Sequence, residues 1–144
     1  MVAARTDFVT GLVSVLNTYK TAHPTLLRGV YTARPDGVAF EKPAAFVGSR
    51  DESVTHDSGL RTRTFNGLTV WVVDTFPVDQ QTQDRMDVLV DGLQDAFTAA
   101  PHAGGGNTVI SITSVSDTEV TMGEAVYRAA VFTFAQGVVQ EGRL

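Results

Sequence analysis

The stretch Leu60-Arg-Thr-Arg-Thr-Phe-Asn-Gly-Leu-Thr-Val-Trp-Val-Val-Asp-Thr-Phe-Pro77 decides how the chain is read. Two strand-like arms flank Asn66-Gly67, a dipeptide suited to a tight turn whose two central residues take positive φ. The pattern predicts a hairpin of Leu60–Phe65 with residues 68–76. In the second arm Leu68, Val70 and Val72 alternate with Trp71 and Val73, so both faces are apolar, as in a central strand. The first arm sets Arg61 and Arg63 on one face and Thr62 and Thr64 on the other, which reads as a polar outer strand. Such a strand protects an open sheet edge. It serves equally as half of a subunit contact, because arginine is enriched at interfaces and grips carboxylates bidentately.

Working outward, residues 29–33 and 44–48 are short β-branched and aromatic runs between turn residues, and read as strands. The polar stretch 49–59 between them and the hairpin reads as an exposed loop. Before them, Phe8, Leu12, Val15, Leu16 and Tyr19 recur at steps of three and four, predicting an amphipathic helix over 6–22 that His23-Pro24 ends. After the hairpin, Asp79 opens a second helix to about Ala100, with Met86, Leu89, Val90, Leu93, Ala96 and Phe97 as its apolar stripe. Asp84, Asp87, Asp91 and Asp95 fall along one opposite line. Residues 101–107 contain three consecutive glycines and form a connection. Strands at 109–115 and 125–135 follow, with an acidic turn near Asp117 and Glu119, and residues 137–144 read as a loosely held tail. The order α-β-β-β-β-α-β-β predicts one α+β domain over 1–144. Its mostly antiparallel sheet has about six strands, with both helices packed on one face.

The chain has 144 residues, a net charge of −5 and no cysteine. Zero cysteines exclude disulfides, a thiol nucleophile and thiolate metal sites, and an acidic pI near 5.0 argues against a basic nucleic-acid footprint. No apolar run approaches the roughly 18 residues of a membrane span, so no membrane partner is expected. The charge is unevenly spread: residues 1–78 are net +1 and residues 79–144 net −6. The aspartate line is the densest part of that excess, and Arg85 is its only nearby cation. A solvated helix face accounts for it; a water-filled channel in an oligomer is the competing reading.

Chemistry finds little support. Ser49, His56, Asp57 and Ser58 contain the residue types of a hydrolase, but acid and base are sequence neighbours and no Gly-x-Ser-x-Gly elbow presets an oxyanion hole. His23, His56 and His102 stand singly, without a second histidine at helical spacing. The Gly104-Gly105-Gly106 run lacks the lysine and helix of a phosphate loop, and Asp117 with Glu119 lacks the repeated oxygen ligands of a calcium loop. No catalytic residue, metal or cofactor is expected. A pocket-bearing α+β module that binds a small molecule is the rival from another class. It would need convergent polar groups in an apolar cavity between sheet and helices.

Four features taken together resemble a known family. They are the N-terminal amphipathic helix, the apolar run Leu68-Thr69-Val70-Trp71-Val72-Val73, the acidic helix Arg85-Met86-Asp87-x-Leu89-x-x-x-Leu93, and the closing strand Tyr127-Arg128-Ala129-Ala130-Val131-Phe132-Thr133-Phe134. Over nearly all its length the chain resembles the tail terminator proteins of long-tailed bacteriophages, particularly those infecting actinobacteria. The resemblance implies a virion protein without catalytic residues, a homohexameric ring on the last ring of tail-tube protein. It stops tube growth and offers a docking surface to the head-tail connector. Phage neck proteins share much of this texture. Under a ring, Arg61 and Arg63 would meet an acidic partner surface. Arg50, Asp51 and Glu52 in the 49–59 loop would reach a neighbouring subunit or tube ring. Asp84, Asp87, Asp91 and Asp95 would border a lumen through which DNA passes without sticking.

Overall fold

A computed structural model describes residues 4–35, 41–48, 52–57, 59–65, 68–74, 80–100, 111–122, 125–134 and 137–142. Helix α1 (Ala4–Ala22) buries Val9, Leu12, Leu16 and Tyr19, the three-and-four spacing of one helical face. It closes where the His23 amide donates to the Tyr19 carbonyl at 2.8 Å, directly before Pro24. Strands β1 (Gly29–Tyr31) and β2 (Ala44–Val47) follow and pair in parallel. Next come β3 (Glu52–Asp57), β4 (Leu60–Phe65) and β5 (Thr69–Asp74). Helix α2 (Gln80–Thr98) then precedes β6 (Ile112–Met122), β7 (Ala125–Phe134) and β8 (Gly137–Gly142).

The fold is α+β, as expected, with eight described strands divided between two sheets. The larger has the order β1-β2-β5-β7-β6 and the smaller β3-β4-β8, and every pairing except β1–β2 is antiparallel. Strand β5 lies between β2 and β7, the central place its two apolar faces demanded. Both helices cover one face of this sheet. There Leu12, Leu16, Met86, Leu89, Leu93 and Phe97 meet Ala45, Val47, Val70, Val72, Phe132 and Phe134 in one core. Phe97 packs edge-on against Phe134 at 5.0 Å between ring centroids and tilts across Phe132 at 6.0 Å.

The opposite face is also largely buried: Ala44, Phe46, Val73, Met122, Tyr127 and Ala129 form a second cluster. The chain after β1 crosses it, for the Arg34 guanidinium donates to the Thr121 carbonyl of β6, and the Lys42 ammonium lies 5.3 Å over the Tyr127 ring.

Four expectations are corrected. Strands β4 and β5 do not form a hairpin; each pairs with other strands in its own sheet, and Asn66-Gly67 lies outside the described residues. The polar segment 49–59 is not all loop, since β3 occupies six of its residues and pairs along the whole of β4. Asp117 and Glu119 sit within β6 opposite Ala130 and Arg128 of β7, not at a turn. Residues 137–142 pair with β4 instead of hanging as a tail, so β4 is the middle strand of its sheet and not an outer one. The reason lies in the polar segments involved. Apart from β5, these segments carry polar residues with no sustained apolar periodicity, so only partners distant in sequence define them.

At the crossing of the helices Gly92 admits the ring of Tyr19. A Cβ there would fall 2.8 Å from the Tyr19 Cζ and 2.9 Å from Cε2. Gly92→Ala gains helix propensity of about 1 kcal/mol and incurs overpacking of about 1–3 kcal/mol. A net loss of about 1 kcal/mol is expected in urea unfolding. Burial pushes the Tyr19 phenol above its usual value of 10.0. Its contribution to stability is therefore intact below pH 10 and lost as pH rises through the raised folded value. Tyr19→Phe should remove that alkaline component.

Candidate interaction surface

The smaller sheet carries the arginines singled out from sequence. Its register pairs Arg61 with His56 on one side and Glu141 on the other, and Arg63 with Val54 and Val139. Arg61 is half-buried, while Val54 and His56 beside it are exposed, Val54 by 48%. Glu52 begins β3 opposite Phe65. Arg50 and Asp51 lie outside the described residues. Arg61, Arg63 and Glu52 are thus brought onto one small sheet, whose outer strands β3 and β8 each pair only with β4 among the described residues. Among the described residues, contacts from this sheet to the helices and the larger sheet are sparse.

The aspartate line is a separate surface. Asp84, Asp87, Asp91 and Asp95 are all exposed on α2. Two are held by helix neighbours one turn earlier: the Gln80 amide donates to Asp84 at 2.8 Å and the Gln83 amide donates to Asp87 at 2.8 Å. Arg85, the one cation in that stretch, turns the other way. Its Nη2 donates to both oxygens of Asp74 at 2.7 Å and its Nε donates to Oδ2 at 3.0 Å. Asp74 is fully buried at the end of β5. The line therefore keeps its whole charge toward solvent, with Val88, 55% exposed, among the carboxylates.

Sequence reasoning missed the Asp74–Arg85 pair. The available signal was a carboxylate ending an otherwise apolar central strand, which needs a buried partner. It also missed a basic hollow lined by Lys20, Pro24, Arg28, Glu41 and Lys42, drawn from segments 22 residues apart between Lys20 and Lys42.

The remaining candidates are scattered. His23 packs on the Tyr19 ring at 4.5 Å, His56 and Asp57 are consecutive in β3, and Ser49, Ser58 and His102 lie outside the described residues. Among the described residues no group of three histidine or carboxylate side chains converges to hold a metal, and no helix is long and apolar enough to cross a membrane. Between sheet and helices the described residues form one buried apolar cluster. An open hollow of about 380 Å³ on the other face is lined by Ala33, Arg34, Phe46, Gly48, Trp71 and Val120. Trp71 stacks on Phe46 there, and Gly48 leaves room for its indole. No protein-family model and no curated protein matches this chain.

Proposed function

We propose that this protein is a structural component of a long-tailed phage virion: a homo-oligomeric ring that caps the head-proximal end of the tail tube, stops its polymerisation and receives the head-tail connector. The observation behind this is the second sheet. A two-helix, five-stranded core already buries its apolar faces, yet β3, β4 and β8 form an additional sheet whose outer strands have no further partner among the described residues. Exposed strand edges of this kind recruit further strands by backbone pairing. The resemblance to tail terminators supplies the kind of partner.

In this reading the Arg61/Arg63 sheet meets an acidic surface of the tail-tube protein. Adding the protein to polymerising tube protein should halt elongation, seen as an early plateau in light scattering. Tubes that lengthen at an unchanged rate would contradict the capping role. Arg61→Glu with Arg63→Glu should weaken capping about tenfold, since reversing two charges at a complementary contact both slows encounter and adds repulsion. An unchanged plateau concentration for that variant would remove these arginines from the contact.

A further inference from the structure

The larger sheet is electrically lopsided. Helix α1 packs over β1 and β2, and α2 over β5 and β6, so each helix belongs to one side of the sheet. On the β1 side, Lys20 in the last turn of α1 and Arg28 just before β1 line one hollow together with Glu41 and Lys42, the Lys42 ammonium lying 5.3 Å over the Tyr127 ring of β7. On the β6 side stand the four exposed aspartates of α2 and the exposed Asp117 and Glu119 of β6. Residues 1–48 sum to net +2 and residues 80–134 to net −5. Among the described residues, β1 pairs only with β2 and β6 only with β7, so neither edge strand has a further partner there.

The β6 edge is eleven residues long and contains neither lysine nor proline, the usual guards of an exposed strand. Symmetric antiparallel pairing of two copies in the register centred on Thr118 would set Asp117 directly against Glu119. The complementary surface is on the chain itself. We infer that copies of this protein join head to tail, the basic α1/β1 side of one against the acidic α2/β6 side of the next.

Two unlike surfaces make a heterologous contact, which closes into a ring when the rotation per subunit divides a full turn. The inference rests on the ring reading and names its subunit interface; it assigns the aspartate line to that interface and not to the lumen. Arg34 takes no part in the basic side, because it crosses the far face to cap Thr121.

Mass photometry of wild type, free and with tail tubes, is compared with Lys20→Glu/Arg28→Glu, with Asp87→Lys/Asp91→Lys, and with all four changes in one chain. These positions are exposed or half-exposed, and circular dichroism checks that each variant folds. Each single-side variant should associate about tenfold more weakly or worse, the four-change chain should recover assembly, and wild-type assembly should weaken with salt. Lys20 and Lys42 are the only lysines, so carbodiimide coupling of mixed ¹⁴N and ¹⁵N chains adds a direct readout. Inter-copy links from them to residues 84–95 or 117–119 are expected. Wild-type rings with single-side variants that form the same rings, or links that never join two copies, overturn the interface and leave the ring reading standing. Wild type that stays monomeric at every concentration and on tubes overturns both.

Discussion

Arg85→Met should lower unfolding stability by about 3 kcal/mol, read as a shift of the urea midpoint at constant slope. Asp74 is fully buried and receives three hydrogen bonds from this one guanidinium. Removing one partner of a buried pair strands the other charge, at about 3–5 kcal/mol. The lower end applies here because Arg128 is the register partner of Asp74 on β7 and keeps a cation in the neighbourhood. The ion pair of Arg128 with Asp117 is long at 3.9 Å and mostly solvated on the carboxylate side. Asp74→Leu combined with Arg85→Met should recover much of the loss, since an apolar pair of similar volume avoids desolvating two charges. A loss below about 1 kcal/mol in the single variant would mean that the pair is merely tolerated.

Phe132→Ala should have the largest effect of any single truncation, about 3–5 kcal/mol. The side chain is fully buried two residues before the end of β7, opposite Val70 on β5 and Val115 on β6, with Phe97 of α2 packed against it. Its neighbours are fixed by strand pairing on both sides and cannot close on the cavity, which keeps the cost near the upper range. In a domain of this size the melting temperature should fall by roughly 10 °C. Trp71, the only tryptophan, lies on the opposite face of the sheet and should report the same cooperative transition.

What could be read from sequence divides along the source of each element's stability. Both helices and β5 carry their own apolar periodicity: the α1 and α2 stripes and the two-sided Leu68–Val73 run were visible because burial imprints itself locally. The exposure of Asp84, Asp87, Asp91 and Asp95 followed from the same helical geometry. By contrast, β3, β4 and β8 are Ser/Thr/Arg- or Gly/Val-rich strands stabilised by one another across long sequence separations. A local rule about Asn66-Gly67 could not tell that β4 and β5 diverge into different sheets. Only the start of β6 reads as a strand in the 109–115 run, and its continuation through Asp117 and Glu119 reads as a turn because that stretch is polar and exposed. For the interaction surface, Arg61 and Arg63 were recognisable as a pair, whereas the grouping of Lys20, Arg28 and Lys42 arises only when α1, β1 and the chain before β2 converge.

Electron microscopy of tail tubes incubated with this protein tests the central claim most directly. The account predicts a single ring of density on one end of each tube, with tubes of arrested length, and naked ends when the protein is withheld. Tubes that stay bare and keep growing in the presence of a folded, saturating protein would contradict it.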